Sequence, residues 1–302
     1  MSLFIICGAT ATGKSDLAVA LAKSINGHIV NADSMQLYKG MDIGTAKLSI
    51  EERQGVPHHL IDVLSVREEA SVAQYQQDAR SIIDQLLEQK IPAIVVGGTG
   101  LYIKAILDDL NFPDTDPEVR ARITKESEEL GAQKMHDRLA KLDPAAAAAI
   151  PKENLRRVVR ALEVIELTGK PYTANLPRVG STKYPQAQQF GLVMERETLQ
   201  ERIDLRVERM WEQGFVAEVR DLLQEGLLEG RTASAALGYA QIIRFAQGEL
   251  SESEAKEETK RATRQYARRQ ETWFSRDERI KWLKKSSTDE LLTRILETQS
   301  DK

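Results

Sequence analysis

The residues best suited to chemistry stand near the start of the chain. Gly8-Ala9-Thr10-Ala11-Thr12-Gly13-Lys14-Ser15 matches the pattern G-x-x-x-x-G-K-[ST]. An apolar run, Leu3–Cys7, precedes it and apolar residues at helical spacing follow it, which predicts strand, turn and helix. In that context backbone N–H groups and a helix N-terminus form a nest for phosphate. Lys14 would reach the terminal phosphates and the Ser15 hydroxyl would offer a ligand to Mg²⁺. The motif is typical of nucleotide-binding and ATP-binding proteins, but it does not specify which phosphorylated molecule is held.

A carboxylate follows the second predicted strand. His28–Asn31 has the pattern of that strand, and it leads to Asp33 in the loop 32–38. Ligands of open α/β sheets bind beyond the carboxyl ends of the strands, so we expect Asp33 to face whatever the P-loop holds. There the carboxylate could ligate Mg²⁺ or accept a proton. The alternative is that Asp33 caps a helix.

A second glycine-rich turn, Gly97–Gly100, follows the buried run Ile91–Val96. We expect it at the same edge of the sheet, where glycine lets the backbone approach a ligand closely. Glycines in place of an acidic residue disfavour a motor ATPase. The neighbouring histidines His58 and His59 would point to opposite sides of a strand, which disfavours a metal pair.

The pattern changes between residues 116 and 185. Strand patterns stop, and helices are predicted over 117–130, 132–142 and 153–168, with a short one after Asp143. Strand pattern returns at Phe190–Met194. We therefore expect an α/β fold: a P-loop NTPase-like parallel sheet flanked by helices, made of residues 1–115 and 186–302. An all-helical insertion domain at 116–185 interrupts it.

The C-terminal part of the chain is basic although the whole is not. The 302 residues carry a net charge of −4, but residues 256–285 hold eleven Lys and Arg against five Asp and Glu. Arginines interleaved with Tyr266, Trp273 and Phe274 can hold phosphates and stack on unpaired bases, as in RNA-binding proteins. The alternative is an amphipathic helix with a solvated face. We expect the aromatic side chains mostly inward and the arginines mostly outward.

Two more arginine clusters lie on predicted helices. Arg202, Arg206 and Arg209 share one helix face. Arg156, Arg157 and Arg160 form a second basic cluster, for which the alternative is salt bridging with Glu153 or Glu163.

The chain shows no signal-peptide pattern and no run of about 18 apolar residues. Its one cysteine, Cys7, excludes an intramolecular disulfide and a cysteine zinc site. Apolar residues make up 41%, enough for a sizeable core. We expect a cytoplasmic monomer that does not contact membranes.

Taken together, these motifs resemble those of the tRNA dimethylallyltransferases, also called tRNA isopentenyltransferases, of the bacterial type. The matching stretches follow the family order: Gly8–Ser15, Asp33–Tyr38, Lys39–Lys47, Pro57–Asp62, Gly97–Tyr102, Asp116–Ile123, Arg160–Lys170, Gly214–Arg220, Leu237–Tyr239 and Arg264–Phe274. Two positions depart from the family pattern. Ala9 stands where proline is usual, and Glu271 stands where an apolar residue is usual. Neither is an expected catalytic group.

The resemblance implies a prenyl transfer. The family moves a dimethylallyl group from dimethylallyl diphosphate to N6 of the adenosine just 3′ of a tRNA anticodon, position 37. By that resemblance the P-loop holds a diphosphate leaving group, with Mg²⁺ as cofactor. Thr10, Lys14 and Arg206 match positions that act on the diphosphate, and Asp33 matches the general base.

The resemblance also implies which residues contact the anticodon stem-loop. Those near the target base are Asp33, Ser34, Met35, Gln36 and Thr99. Those on the insertion are Arg120, Arg122, Arg156, Arg157 and Arg160. The remainder, in the C-terminal part, are Gly238, Tyr239, Arg268, Arg269, Gln270 and Trp273.

Two other functions would explain part of the sequence pattern. A P-loop small-molecule kinase, of the nucleoside or shikimate type, would explain the P-loop, Asp33 and a helical lid but not the basic aromatic helix. A nucleotide-gated RNA-binding switch would bind RNA and make no product.

Overall fold

The computed structural model describes residues 2–175 and 182–300. These residues fall into two compact units. The first joins the chain up to residue 107 with the chain from residue 184 onward, and the second comprises Asp108–Lys183. The stretch 176–181 of the predicted insertion lies outside the described residues.

Six parallel strands form one sheet in the first unit. They are β1 (Leu3–Gly8), β2 (His28–Asn31), β3 (His58–His59), β4 (Ala93–Val96), β5 (Gln188–Val193) and β6 (Ile280–Lys284). Their order across the sheet is β3-β2-β4-β1-β5-β6, with every neighbouring pair parallel. All six residues of β1 are buried, as expected for a strand covered on both faces. The predicted α/β class with a parallel sheet is confirmed.

The described residues contain twelve α-helices. They are α1 (Lys14–Ile25), α2 (Val72–Glu88), α3 (Gly100–Leu107), α4 (Pro117–Leu142), α5 (Pro144–Ala149), α6 (Leu155–Thr168), α7 (Arg196–Glu212), α8 (Phe215–Gln224), α9 (Arg231–Ser234), α10 (Tyr239–Ala246), α11 (Glu252–Phe274) and α12 (Thr288–Ser300). Short 3₁₀ helices cover Tyr172–Asn175 and Leu227–Glu229. Within the described part of the chain, none of these helices is long and apolar enough to cross a bilayer.

Local sequence explains where the principal helices begin. The Ser71 side chain accepts the N–H of Gln74 and caps α2, as its position predicts. Ser251 and Glu254 form a reciprocal capping box at the start of the long basic helix α11. Gly214, with φ of 94°, separates α7 from α8, where a residue with a side chain would be strained.

The sheet buries both of its faces. Alternate residues of β1 point to opposite sides, so Ile5 packs with Tyr75 of α2 in one cluster. Ile6 packs with Leu17 of α1 in a second cluster on the other side. Burial on both faces explains why β1 is a continuous apolar run rather than an alternating one.

The second unit has its own core, built from α4, α5 and α6. Ile123 and Leu139 of α4 pack with Leu162 of α6. The sequence predicts two helices over 117–130 and 132–142. The structure joins them into α4 with a break at Gly131, where φ is 79° and ψ is 164°. The prediction of two helical segments that meet at Gly131 is therefore confirmed, and glycine is the residue that permits that backbone.

Candidate active site

A cavity of about 560 Å³ lies at the carboxyl edge of the sheet in the first unit. The P-loop, the loop after β2, the glycine turn after β4, and residues of α7 and α11 line it. Lys14, Asp33 and Arg206 all face this cavity. Thr10 lines the same cavity, so the structure brings together all four predicted catalytic residues.

The P-loop owes its shape to two glycines. Gly8 has φ of 133°, and a Cβ there would lie 2.6 Å from the Leu192 carbonyl oxygen of the neighbouring strand. Gly13 has φ of 91° immediately before α1. Between them the Thr12 hydroxyl and the Lys14 ammonium both donate to the Ala9 carbonyl oxygen, at 2.8 and 2.6 Å. These two hydrogen bonds stabilise the loop conformation and hold the Lys14 side chain against the loop.

Thr10 and Arg206 meet across the mouth of the P-loop. The Arg206 guanidinium donates to the Thr10 hydroxyl at 2.8 Å, although the two residues are far apart in the chain. Within residues 2–175 and 182–300, no carboxylate lies within ion-pair distance of Arg206 or Lys14. The P-loop is therefore flanked by two cations without acidic partners, which suits a polyanionic ligand.

Removal from water shifts the pKa values of the three charged groups. Burial lowers the pKa of Lys14 to about 8, against the opposing attraction of Asp33. Burial also raises the pKa of Asp33 above its usual 3.8, opposed by the Met35 amide and by Lys14. Burial lowers the pKa of Arg206, and Asp33 again opposes the shift. Such perturbed groups, gathered in one cavity, mark a functional site.

Asp33 is oriented by its own loop. Its N–H donates to Asn31 Oδ1 at 2.9 Å, and its Oδ1 accepts from the Met35 N–H at 3.0 Å. The alternative of a helix cap was therefore half right: the carboxylate caps a turn, since no helix starts in residues 34–37. The hydrogen bond fixes the carboxylate while leaving acceptor capacity for a ligand.

The loop after β2 is tied to the glycine turn after β4. The Ser34 N–H donates to Thr99 Oγ1 at 3.1 Å. Gln36 reaches the other way and donates to the Thr45 carbonyl oxygen at 3.1 Å. Both residues, with Met35, are partly buried around the cavity, so the predicted base-contacting stretch does border the pocket.

Magnesium would have few protein ligands here. Among the described residues, no three His, Cys, Asp or Glu side chains cluster as a metal site. Mg²⁺ needs no such cage, because it keeps several waters and binds through one or two protein oxygens plus substrate phosphates. The Ser15 hydroxyl and the Asp33 carboxylate line the cavity and supply hard oxygen donors, so the donor set fits Mg²⁺.

Gln270 does not lie where the resemblance placed it. Its side chain is 5% exposed. Its Oε1 accepts from the Thr10 N–H at 2.8 Å, and its Nε2 donates to the Gly98 carbonyl oxygen at 2.9 Å. A buried amide with both ends occupied cannot also reach an RNA chain, so the structure corrects that expectation.

Tyr239 and Gly238 need the same correction. Tyr239 is fully buried and its hydroxyl donates to Glu218 at 2.5 Å. Its ring meets Phe215 edge to face, with centroids 4.9 Å apart. Gly238 is buried too, with φ of 87°, and a Cβ there would lie 2.8 Å from the Phe215 ring. Tyr239 lines the cavity, where only a base that enters the pocket would meet it, and neither residue offers an outer surface to the rest of the tRNA.

The outer face of α11 is open. Arg268 and Arg269 are exposed, and the Arg269 guanidinium lies 5.7 Å from the Tyr266 ring centroid. Trp273 is 45% exposed, packed where a Cβ on Gly100 would collide with its ring. The expectation of inward aromatic residues is confirmed for Phe274, which is buried, and was wrong for Trp273.

The insertion arginines fall into two groups. Arg156 and Arg157 are exposed on α6. Arg120 and Arg160 both pair with the fully buried Glu163, at 2.6 and 3.0 Å. The salt-bridging alternative with Glu163 is thus confirmed for Arg160, whose guanidinium also donates to the Pro113 carbonyl oxygen.

Arg122 is paired as well. It forms ion pairs with Glu126, at 3.0 Å, and with Glu166. These pairs sit on the surface of the second unit, where an ion pair contributes little to stability. Arg122 therefore remains accessible to an RNA phosphate, but binding would have to compete with two carboxylates.

Two cations near the P-loop were not assigned to the site from the sequence. The Arg202 guanidinium donates to the Ala11 carbonyl oxygen at 2.8 Å. Its spacing of four residues from Arg206 was the available signal. The Lys285 ammonium approaches Gly13, where a Cβ would lie 3.0 Å from it. Nothing local marks Lys285, because it follows a strand that only the sheet brings beside the P-loop.

Fold and site together define an α/β P-loop protein with a cationic, carboxylate-containing pocket of a size suited to a small phosphorylated molecule. Comparison with known proteins is more specific. The family model described as IPP transferase matches residues 36–277, so the chain belongs to the IPP transferase family. This confirms the resemblance stated from the motifs.

Individual relatives agree over most of the chain. The tRNA dimethylallyltransferase of Thermobifida fusca is 58% identical over 293 residues, covering 95% of this chain and 91% of that protein. The crystal structure of the tRNA isopentenylpyrophosphate transferase of Bacillus halodurans is 39% identical, with a TM-score of 0.73. It covers 99% of this chain and 96% of that one. A eukaryotic dimethylallyltransferase acting on tRNA is 27% identical, with a TM-score of 0.80, over 94% and 74% of the two chains.

Proposed function

We propose that this chain is a tRNA dimethylallyltransferase, which moves a dimethylallyl group from dimethylallyl diphosphate to N6 of the adenosine at tRNA position 37. The observation that carries the proposal is the cavity in which Lys14 and Arg206 flank the P-loop while Asp33 faces the same space. A relative from Thermobifida fusca, 58% identical over 293 residues, carries that name.

The P-loop side of the pocket would hold the diphosphate. The backbone N–H groups before α1, the Lys14 ammonium and the Arg206 guanidinium all stabilise negative charge. As the carbon–oxygen bond to the diphosphate breaks, charge grows on the departing oxygen. Preorganised donors that face that charge lower the barrier, and such stabilisation is usually the largest contribution to catalysis. Mg²⁺, held through the Ser15 hydroxyl and the diphosphate, would neutralise part of the same charge.

Asp33 would accept the proton. The exocyclic amine of adenine attacks the allylic carbon, its nitrogen forms the new bond, and one N6 proton must leave. Asp33 is the carboxylate that the loop after β2 orients toward the cavity. Burial raises the pKa of Asp33, which strengthens the carboxylate as a proton acceptor. The products are N6-dimethylallyladenosine, diphosphate and a proton.

The target base must leave the anticodon stack to enter such a pocket, at a cost of a few kcal/mol. Two sets of exposed arginines could hold the RNA meanwhile. Arg268 is exposed on α11, where the exposed Arg269 also lines the cavity. Arg156 and Arg157 are exposed on the second unit. Contacts to phosphate give affinity, and contacts to loop bases give specificity. The exposed Trp273 ring offers a surface on which an unpaired base can stack.

The predictions of a helical insertion that grips tRNA, of a monomer and of a cytoplasmic location remain predictions. A local basic surface explains how a chain with net charge −4 can bind RNA. Sedimentation with and without an anticodon stem-loop would give the number of chains in the complex.

One incubation tests the proposed function. Wild type and Asp33→Ala are mixed with anticodon stem-loop RNA, Mg²⁺ and labelled dimethylallyl diphosphate, with ATP in a parallel tube. Label should enter the RNA with wild type and fall at least about 100-fold with the variant, as for a lost general base. No label in RNA, with ATP consumed when a small hydroxylated metabolite is added, would favour the kinase. RNA binding without any product would favour the switch.

A further inference from the structure

Gln270 links two turns that belong to different strands. Its Oε1 accepts the Thr10 N–H of the P-loop at 2.8 Å, and its Nε2 donates to the Gly98 carbonyl oxygen after β4 at 2.9 Å. The side chain is buried, on the inner face of α11. A single amide thus satisfies one donor and one acceptor that would otherwise be orphaned in the wall of the pocket.

The Thr10 end of this link leads directly to the diphosphate site. The Thr10 hydroxyl accepts from the Arg206 guanidinium at 2.8 Å. Because Gln270 holds the Thr10 backbone, it sets where that hydroxyl stands and therefore where Arg206 points. Arg206 has no carboxylate within ion-pair distance among the described residues, so Thr10 is the polar side chain that orients it.

The contact of Gln270 with Gly98 accounts for the glycine at this position of the turn after β4. Gly98 does not need an unusual φ, but a Cβ there would lie 2.1 Å from Gln270 Nε2. A side chain at this position would therefore displace the Gln270 amide. Tyr266, one turn before Gln270 on α11, lines the cavity, and burial raises its pKa to about 12. The inner face of α11 is therefore joined to both turns.

We propose that Gln270 is a positioning residue for the diphosphate site: it holds Thr10 so that Thr10 and Arg206 face the leaving group. This rests on the proposed function only for the identity of the ligand. It assigns Gln270 to the P-loop rather than to the RNA, although Arg268, two residues before it on the same helix, is exposed.

The test is direct binding of inorganic diphosphate with Mg²⁺, in the absence of RNA, alongside binding of an unmodified anticodon stem-loop. Gln270→Ala should weaken diphosphate binding about tenfold and change RNA affinity less than twofold. Arg268→Ala should do the reverse. The control for loss of a buried glutamine is Gln189→Ala on β5, which is equally buried and does not line the cavity. It should leave diphosphate binding unchanged.

A double-mutant cycle sharpens the test. Gly98→Ala should weaken diphosphate binding in wild type, because the new methyl displaces the Gln270 amide. In the Gln270→Ala background the same change should have almost no further effect, since nothing is left to displace. If Gln270→Ala does not fold, Gly98→Ala tests the same contact by itself, because it adds only one methyl and keeps the glutamine in the sequence.

Three results would overturn the proposal: lost RNA affinity with normal diphosphate binding in Gln270→Ala, equal weakening by Gln189→Ala, or additive effects of the two changes in the cycle. Failure of wild type to label RNA is a separate outcome. It would remove the proposed function, while the diphosphate titrations would still decide the role of Gln270.

Discussion

Arg206 in the first unit and Arg120 in the second are both long cations that leave a helix for a partly buried position, yet their partners differ. Arg206 donates to a threonine hydroxyl beside the P-loop. Arg120 pairs at 2.6 Å with Glu163, whose side chain has no exposed surface. The second arrangement neutralises a buried carboxylate. The first leaves positive charge facing a cavity.

This difference distinguishes Arg206, which is available to bind a ligand, from Arg120, which stabilises the fold. Burying an unpaired charge is costly unless something compensates for it, so an arginine without a carboxylate partner beside a pocket indicates an anionic ligand. A buried carboxylate with two arginines, Arg120 and Arg160, is already compensated. The same residue type therefore needs its partners before its role can be assigned.

The largest effect should come from Asp33→Asn. The amide keeps the size of the side chain but cannot accept the proton, so the single-turnover rate of label transfer should fall about 100-fold or more. The affinity for RNA should stay within twofold. Asp78→Asn, a surface carboxylate on α2, is the control. An Asp33→Asn rate within threefold of wild type would remove Asp33 as the base.

Arg206→Ala should come next. It removes a donor aimed at the diphosphate, and loss of one such donor costs about 10²–10³ in rate. Arg120→Ala is the matched change in the helical unit and should leave kcat/KM for dimethylallyl diphosphate within about threefold of wild type. Steady-state kinetics at saturating RNA would measure both. Equal losses of kcat/KM in the two variants would contradict the assignment of Arg206 to the diphosphate and of Arg120 to the fold.

The pH dependence of kcat/KM should report the ionisation of two buried groups, Lys14 and Asp33. The pKa of Lys14 is lowered to about 8, and the diphosphate needs the ammonium, so log kcat/KM should fall by about one per pH unit above pH 8. The pKa of Asp33 is raised above 3.8, and protonation removes the base, so activity should also fall at acid pH, with a midpoint above that value.

Lys14→Arg gives the control for the alkaline limb. Arginine stays protonated throughout the range, so the limb should move to higher pH in this variant even if its plateau is lower. Ionisation of the diphosphate itself affects wild type and Lys14→Arg equally, so it does not change the difference between their pH profiles. An alkaline limb that stays at the same pH would assign it to a group other than Lys14.

In the second unit the expected effect is on stability. Arg120→Met removes one of two arginines from buried Glu163, which keeps Arg160 at 3.0 Å. The free energy of unfolding should fall by about 1–3 kcal/mol, the usual cost of weakening a buried polar group. Urea denaturation would measure it. The double variant Arg120→Met with Glu163→Gln should recover part of the loss, because no uncompensated charge remains buried.

The smallest effect should come from Arg156→Ala with Arg157→Ala, both exposed on α6. Two lost phosphate contacts should weaken RNA binding about threefold to tenfold at 0.15 M salt and reduce the salt slope by roughly 1.4–1.8. Filter binding at several salt concentrations would measure this. An unchanged slope would show that these arginines do not contact phosphate.

The sequence alone determined the elements and the chemistry of the P-loop edge. Leu3–Gly8, the glycine turn and α1 are adjacent in the chain, so their strand–turn–helix pattern is legible locally. Ser71 could be assigned as a helix cap for the same reason. Asp33 could be placed at the pocket because strands in a parallel sheet present their carboxyl ends at one edge.

Only the tertiary structure decided which polar residues are partners. Gln270 lies 260 residues from Thr10 in the chain, and no local pattern distinguishes its buried amide from the exposed arginines beside it. Glu163 meets Arg120 across two helices, which gives a predicted RNA-binding arginine a buried partner within the helical unit. Burial and pairing depend on how distant segments pack, whereas periodicity records only which face of each segment is apolar.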